Sequence, residues 1–240
     1  LRHGGWSHRI VYGLDHARSK ITNLYDGKAP LPPESFPLKR FPDTRQTSTG
    51  LYVQDETVHG DWTITPGLRI DHFAIDVTSQ NLYYPPAPQP GKSLSGSAAL
   101  PKLGVLYRAT PAWSIFGQYA TGYRAPEAGQ VNDRFEAVAL GVTNIIIANP
   151  DLKPERSRGV ELGVRGRFDR LSVDLVGFSN RYSNLIEDAR LIQKTATQQT
   201  FQAVNIARAR IHGFELKGGY DWGSVGPGRL HNTFAYGQAR

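Results

Sequence analysis

Long stretches of this 240-residue chain alternate between apolar and polar residues with a period of two. In residues 62–71 the even positions are Trp, Ile, Pro, Leu and Ile, and the odd positions are Thr, Thr, Gly, Arg and Asp. Residues 160–168 repeat the pattern, with Val160, Leu162, Val164 and Phe168 on one face and Glu161, Arg165 and Arg167 on the other. Such a period indicates β-strands with two unlike faces, and none of these segments has a helical period.

About nine segments carry this alternation, and many are longer than ten residues. They lie near residues 8–16, 46–58, 62–76, 97–109, 113–122, 155–168, 171–184, 201–221 and 229–238. Strands of globular proteins are usually about 5–6 residues long. The predicted strands are therefore unusually long for a small globular domain.

The connections between these segments alternate in length. Long polar connections rich in Pro and Gly lie near 17–45, 77–96, 123–154 and 185–200, and short turns lie near 59–61, 110–112, 169–170 and 223–228. This is the pattern of outer-membrane barrels, which have long extracellular loops and short periplasmic turns. In lipid the backbone must form its hydrogen bonds within the protein, so the strands close into a barrel and their polar face lines the lumen. We predict an all-β, antiparallel transmembrane β-barrel meander in the outer membrane of a Gram-negative bacterium, in contact with outer-membrane lipid.

Composition excludes several other classes of protein. The chain has no Cys, so a disulfide framework, a zinc–thiolate site and a cysteine nucleophile are impossible. The formal net charge of +7 comes from basic residues spread singly along the chain, which does not favour a nucleic-acid partner. A membrane-spanning helix is not predicted, because the chain contains no run of 18 apolar residues. No catalytic motif and no metal site are predicted, because Ser, His and Asp do not occur in a recognisable arrangement and the histidines are scattered.

Two short sequence boxes flank the connection 123–154. They read YRAP at 123–126 and NPDLKPE at 149–155, and ELG follows at 161–163. These elements resemble the paired FRAP and NPNL boxes of TonB-dependent outer-membrane receptors, in particular the heme, hemoglobin and transferrin/lactoferrin branch. LYVQDE at 51–56 and VNIARARIHGFEL at 204–216 extend the resemblance over about residues 45–222.

The resemblance implies a barrel of 22 strands with an N-terminal plug domain, energised by the TonB complex of the inner membrane. Residues 1–240 would then form a partial barrel domain, with the plug domain, the TonB box and the C-terminal strands absent. The lack of Met and of a recognisable leader at the N-terminus agrees with this expectation. We also expect that nine strands with two open edges would not fold stably alone in a bilayer.

The resemblance also implies ligand-binding residues in the two boxes. These are Tyr123, Arg124, Ala125, Pro126, Asn149, Pro150, Asp151 and Leu152. A second interpretation treats the boxes as the entry and exit of a loop that does the binding, because proline fixes φ and Asn and Asp favour turns. Tyr83 and Tyr84, in the connection 77–96, likewise fit stacking on a porphyrin, a position at the outer membrane interface, or a stiff surface loop.

The transported ligand implied by the resemblance is heme or a hemoprotein, with no permanently bound cofactor. Receptors of this branch commonly carry a histidine between the two boxes as an iron ligand, but none lies between Pro126 and Asn149 here. Either heme is held in another way, for example by a Tyr ligand or by residues outside this chain, or the ligand is not bare heme. A hemoprotein or, as the alternative within the same fold, a ferric siderophore is then favoured. A passive porin-like channel is the alternative from another class, and a barrel enzyme and a soluble β-sandwich binding module are less favoured.

Overall fold

The structure, a computed structural model, describes residues 2–3, 5–84, 90–206 and 208–240. Its strands are β1 Arg2–His3, β2 Trp6–Ile21, β3 Asp43–His59, β4 Trp62–Ser79, β5 Leu94–Arg108, β6 Trp113–Arg124, β7 Phe135–Ala139, β8 Val142–Ile147, β9 Glu155–Arg167, β10 Leu171–Ser183, β11 Ile186–Lys194, β12 Gln198–Asn205, β13 Arg208–Val225 and β14 Gly228–Ala239. A short helix, α1, spans Ala128–Asn132. Within the described ranges, no helix has both the length and the apolar character that a membrane crossing needs.

Ten of these strands form one antiparallel sheet in the order β1-β2-β3-β4-β5-β6-β9-β10-β13-β14. Short turns join β3 to β4, β5 to β6, β9 to β10 and β13 to β14, and they lie at one end of the sheet. Apart from the short connection between β1 and β2, the remaining connections of this sheet are long loops, which we number one to four: 22–42, 80–93, 125–154 and 184–207. The predicted antiparallel meander with alternating long and short connections is confirmed.

The strands run further than the sequence pattern predicts. β2 extends from Trp6 to Ile21, well beyond the segment 8–16. His59 is the last residue of β3 instead of part of a turn. β13 continues to Val225, which shortens the turn predicted at 223–228 to residues 226–227.

Two predictions about the loops are wrong. The stretch 185–200 is not an unstructured connection, because β11 and β12 form an antiparallel hairpin there. The stretch 201–221 is not one strand, because β12 ends at Asn205 and β13 begins at Arg208. In loop three, α1 precedes a hairpin of β7 and β8, and β8 pairs in parallel with β12. These four strands form a second sheet in the order β11-β12-β8-β7, which we call the loop sheet.

The large sheet has an exposed apolar face and a polar face. On β4 the apolar face carries Leu68 and Ile70, which are 42% and 48% exposed, whereas Asp71 on the polar face is 7% exposed. Leu14 and Leu162 continue the apolar face on other strands and are 71% and 64% exposed. Apolar side chains that point out and charged ones that point in are the arrangement of a barrel surrounded by lipid.

The apolar face has a defined height. On β4 it begins at Trp62, which stacks on Tyr107 with ring centroids 4.5 Å apart, and it ends at His72, which bonds Ser97 over 3.0 Å. On β3 the same interval runs from His59 to Thr49. Ten residues at about 3.3 Å each, tilted by about 40°, span about 25 Å, which is the height of the apolar band of an outer-membrane barrel.

The main buried cluster lies at the loop end of the polar face. It consists of Phe73, Ile75, Ala128, Val131, Leu152 and Ala203, with Ile21, Leu94, Tyr123, Ala125 and Ile186 packed against it. Its members come from β4, from loop three with α1, and from loop four. Burial of apolar surface therefore holds the loops against the sheet, while most of the apolar surface of the sheet faces outward.

Candidate functional site at the loop end of the sheet

The four long loops contact one another above the polar face. Loops one and two are joined by backbone hydrogen bonds from Lys39 N to the Leu82 carbonyl, 2.7 Å, and from Tyr84 N to the Lys39 carbonyl, 3.0 Å. Loops one and three are joined from Val138 N to the Pro32 carbonyl over 3.0 Å. Loops three and four share the loop sheet. The loops form one packed surface at this end of the molecule.

The YRAP box leads from β6 into loop three. Tyr123 and Ala125 pack against the buried cluster, and Pro126 is itself buried. The guanidinium of Arg124 donates to both carboxylate oxygens of Glu155 over 2.8 and 2.9 Å. Such bidentate pairs are the strong and geometrically specific ones. Arg124 therefore ties the start of loop three to its end.

The NPDLKPE box brings loop three back to the sheet. The amide of Asn149 donates to the Ala203 carbonyl of β12 over 2.8 Å, and its oxygen accepts from Asp151 N over 3.1 Å. Leu152 is 2% exposed and belongs to the buried cluster, whereas Pro150 is half-buried and Asp151 is exposed. Most of this box is thus engaged with the neighbouring loop.

Asn205, at the end of β12, completes the connection between loops three and four. Its side-chain oxygen accepts from Lys153 N, and its amide donates to the carbonyls of Lys153 and Asn184, each over 2.8 Å. Glu155 also accepts from Ile186 N over 2.8 Å. Neither Asn205 nor Glu155 was predicted as a site residue, although both lie in the motifs that carry the resemblance. A polar residue at the end of a motif strand is the signal that would have found Asn205.

The two boxes therefore meet in the folded chain. Arg124 and Glu155 join them directly, and Tyr123 and Leu152 share one buried cluster. In this arrangement the boxes fix the bases of loops three and four. Their exposed members, Arg124 and Asp151, leave part of the boxes open to solvent.

Loop one is held by a cation between two aromatic rings. The guanidinium of Arg40 lies 4.2 Å from the ring centroids of both Tyr25 and Phe135. It also donates to Glu34, whose side chain is fully buried, over 3.2 and 3.0 Å. Cation–π contacts and a bidentate ion pair on one side chain fix loop one against β7.

Two ionisable groups in the loops have strongly shifted pKa values. Burial raises the pKa of Asp133 to about 6, although the nearby Arg40 opposes the shift. Burial raises the pKa of Tyr84 to about 12, and Glu34 and Glu136 add to the effect. Tyr84 is 1% exposed, and the Tyr83 hydroxyl donates to the Asn132 carbonyl over 2.8 Å. Tyr84 therefore offers no accessible ring face for a porphyrin; residues 85–89 of the same connection lie outside the described part of the chain.

A charged network crosses the polar face below the loops. Arg69 donates to Asp15 over 2.8 and 3.0 Å and to Asp71 over 2.8 Å, and so it links β2 with β4. It passes over Gly50 of β3, where any Cβ would overlap the guanidinium. The network places fixed charges on the inner side of the sheet, which suits an aqueous lumen.

The histidines do not assemble into a metal site within the described residues. There, no three His, Cys, Asp or Glu side chains are grouped so as to hold a metal ion. His59 stacks on Trp6 with centroids 4.3 Å apart, and His72 bonds Ser97.

The comparisons with known proteins agree with this architecture. The whole chain, residues 1–240, matches the family described as TonB dependent receptor-like, beta-barrel. The heme/hemopexin utilization protein C of Haemophilus influenzae is 26% identical over 88% of this chain and 30% of its own length, and the hemin receptor of Yersinia pestis is 26% identical over 89% and 30%. The ferric enterobactin receptor of Pseudomonas aeruginosa superposes with a TM-score of 0.70 at 20% identity, over 99% of this chain and 34% of the receptor.

The chain thus spans about a third of the length of these proteins. They are named as receptors and utilization proteins, not as enzymes, in agreement with the predicted class. A family match over all 240 residues, together with the meander, its apolar outer face and its long loops, fixes the assignment. The chain belongs to the TonB-dependent receptor β-barrels, a family of the Gram-negative outer membrane.

Proposed function

We propose that the protein containing this chain takes up an iron-bearing ligand, heme or a hemoprotein, and that the TonB complex supplies the energy. One observation carries the proposal: two relatives named for heme or hemin match nearly nine-tenths of the chain, including both boxes. In this proposal the rest of the protein supplies the plug domain on which TonB acts, and the chain contributes strands and extracellular loops.

The packed loop end supports a binding role. Recognition residues commonly lie on loops that a rigid scaffold positions. Here the loop sheet, the Arg124–Glu155 pair and the Asn205 contacts hold loops three and four in one arrangement. The box residues Tyr123, Arg124, Ala125, Pro126, Asn149, Pro150, Asp151 and Leu152 are proposed to act mainly by positioning these loops, with exposed Arg124 and Asp151 available to a ligand.

The iron ligand of a bound heme would come from elsewhere in the protein. Loop three has no histidine between the boxes. Tyr84 is buried and its raised pKa keeps the phenol protonated, so it is unsuited to ligate iron as a phenolate. These features are also compatible with a hemoprotein as the ligand, because the surface of that protein would then contact the loops.

The test is a heme titration of the full-length receptor in detergent, followed by its Soret band, with a ferric siderophore titrated separately and detected by fluorescence quenching. Saturable heme binding with a shifted Soret band, and heme-dependent growth that requires TonB, are the expected results. No Soret shift together with tight siderophore binding would overturn the heme proposal and support the alternative. Uptake that persists without TonB would instead support a passive channel.

A further inference from the structure

Three cations stand close together on the outer side of the sheet, above its apolar band. Arg18 and Lys20 lie two residues apart on β2, so their side chains point to the same side about 7 Å apart. Arg45 of β3 is directly opposite Lys20 in the register. All three are exposed. We call Arg18, Lys20 and Arg45 the basic cluster.

The cluster lies on the apolar side, not on the lumen side. On β2, Leu14 belongs to the exposed apolar face, and Arg18 and Lys20 follow it at even spacing. On β3, Leu51 is exposed and Arg45 has the same parity. Alternation therefore points these cations away from the lumen, toward the surrounding membrane.

The height of the cluster matches a layer of lipid headgroups. The apolar band ends at His16 on β2 and at Thr49 on β3, which bond each other over 2.9 Å. Arg18 is two residues beyond this level, and Lys20 and Arg45 are four residues beyond. Tilted strands rise about 2.5 Å per residue, so the cations lie about 5–10 Å past the hydrocarbon edge. The polar layer of a bilayer has this thickness.

The charges of the cluster are not neutralised within the described residues. No ion pair there involves Arg18, Lys20 or Arg45. Asp43 is already paired with Lys39 over 2.7 Å, and Asp76 lies opposite Arg45 without pairing. Like charges directly across a strand pair are unfavourable unless an anion lies between them. A cavity of about 460 Å³ adjoins the three cations, and its remaining lining consists of Ser19, Asp43, Thr78 and Ser79.

We propose that the basic cluster binds the phosphate groups of a phosphorylated lipid in the outer leaflet. Arginine and lysine together provide the bidentate and point-charge donors that phosphate accepts. The Thr78 hydroxyl at the edge of the cavity already donates to the Asp43 carbonyl over 3.1 Å, so the donors to phosphate are the three cations. The acyl chains of the same lipid would lie along the apolar face below, on Leu14 and Leu51. This surface is separate from the ligand-binding loops and does not depend on the identity of the transported ligand.

The experiment measures lipid retained by the full-length receptor after purification in detergent, by native mass spectrometry. The receptor is first incubated with phosphatidylethanolamine vesicles that contain either bisphosphorylated lipid A or its dephosphorylated form. We expect retention of the bisphosphorylated lipid, and a loss of about fivefold for each of Arg18→Gln, Lys20→Gln and Arg45→Gln. Arg108→Gln, an exposed cation at the short-turn end, is the matched control and should retain the lipid as the wild type does.

Equal retention of phosphorylated and dephosphorylated lipid would overturn the proposal, as would an equal loss in Arg108→Gln. Single substitutions are used because each disturbs the fold less than a combined variant would. A heat-modifiable gel shift verifies that each variant is folded. Raising the salt concentration supplies a measurement without mutation. Retention by the wild type should fall with ionic strength because the contacts are charged and exposed.

Discussion

The ten-stranded sheet and the loop end above it are stabilised in opposite ways. On the sheet, large apolar side chains such as Leu14 and Leu162 are mostly exposed, while charged residues such as Asp71 are buried on the inner face. At the loop end, apolar residues such as Phe73 and Val131 are buried and polar side chains such as Asn205 are hydrogen-bonded, as in a water-soluble protein. The side-chain distribution of one chain is therefore adapted to two solvents, hydrocarbon around the strands and water around the loops.

The difference explains why alternating apolar residues mark exposed, lipid-facing positions in one part of this protein and buried core positions in another. Along β4 the exposed positions are apolar below His72, and the buried positions become apolar above it, at Phe73 and Ile75. The change occurs where the strand leaves the predicted hydrocarbon layer. The comparison predicts that substitutions should have effects set by the layer and by the face on which they lie.

The largest effect is expected from a charge on the apolar face. Leu162→Arg places a cation near the middle of the band and should lower the free energy of unfolding by about 2–4 kcal/mol. Gln118→Arg on the neighbouring strand is the control, because Gln118 lies on the lumen side opposite Glu161 and should tolerate the charge. The measurement is urea unfolding of the full-length receptor refolded into phospholipid vesicles. Similar destabilisation by both variants would contradict the assignment of the two faces.

The next largest effect should be confined to the loops. Asn205→Ala removes three hydrogen bonds and leaves the Lys153 amide and two carbonyls without their partners, which costs about 1–3 kcal/mol locally. Hydrogen exchange should increase at the bases of loops three and four and stay unchanged in β3 and β4. Asn144→Ala is the control, because among the described residues its side chain makes one hydrogen bond, a long one of 3.4 Å to the Val142 carbonyl. Faster exchange throughout the sheet would show that the loop end is not a separate unit.

A smaller effect is expected on the polar face. Gly50→Ala introduces a Cβ that overlaps the Arg69 guanidinium and separates it from its two carboxylates. Because the pairs are partly exposed and screened by solvent, the loss of stability should be smaller than that caused by Asn205→Ala. Gly104→Ala has ordinary contacts, with the nearest atom 3.7 Å away, and serves as the control. Equal midpoints of urea unfolding for both variants would mean that the charged network adds nothing measurable.

The most local effect, confined to the surroundings of one carboxyl group, depends on pH. The folded pKa of Asp133 is raised to about 6 from its ordinary 3.8, so the folded loop binds this proton more tightly than the unfolded loop. Loop stability should therefore fall as the pH rises between about 4 and 6, and remain at the lower level above that range. Asp133→Asn removes this dependence. Hydrogen exchange of α1 and β7, extrapolated to equal intrinsic rates, should show protection that falls with pH in the wild type only.

Much of the fold follows from local patterns. The alternation in residues 62–71 and 160–168 predicts β4 and β9 because each strand has one lipid face and one lumen face. The short turns are likewise visible as Gly, Pro and Asp between such runs. The break between β12 and β13 is not marked by Gly or Pro in 204–210, and its local sign is a shift of the apolar residues from even positions, Val204 and Ile206, to odd positions such as Ala209. β12 pairs with β8 over Gln198–Gln202 and with β11 up to Asn205, and the pairing with β8 is a tertiary contact that a local pattern does not show.

The candidate site was less predictable than the fold. The boxes at 123–126 and 149–155 were found through a resemblance, but their sequence does not say that Arg124 pairs with Glu155 or that Leu152 is buried. Asn205 makes three side-chain hydrogen bonds, as many as Glu155 and one more than Arg124. It was not predicted because its partners are backbone groups of distant loops. Sequence shows residue types and spacing, whereas these contacts depend on how two loops meet.

The parallel pairing of β8 with β12 has a consequence for engineering and for natural variation. Five registered residue pairs, from Gln198–Thr143 to Gln202–Ile147, join segments that lie more than fifty residues apart. If loop three alone were replaced by the loop of a relative, the foreign β8 would have to pair with the β12 of this chain, whose sequence differs from that of its usual partner. Transplanting loops three and four together preserves the pairing. We therefore expect that ligand specificity can be transferred between relatives only when both loops are exchanged as one unit.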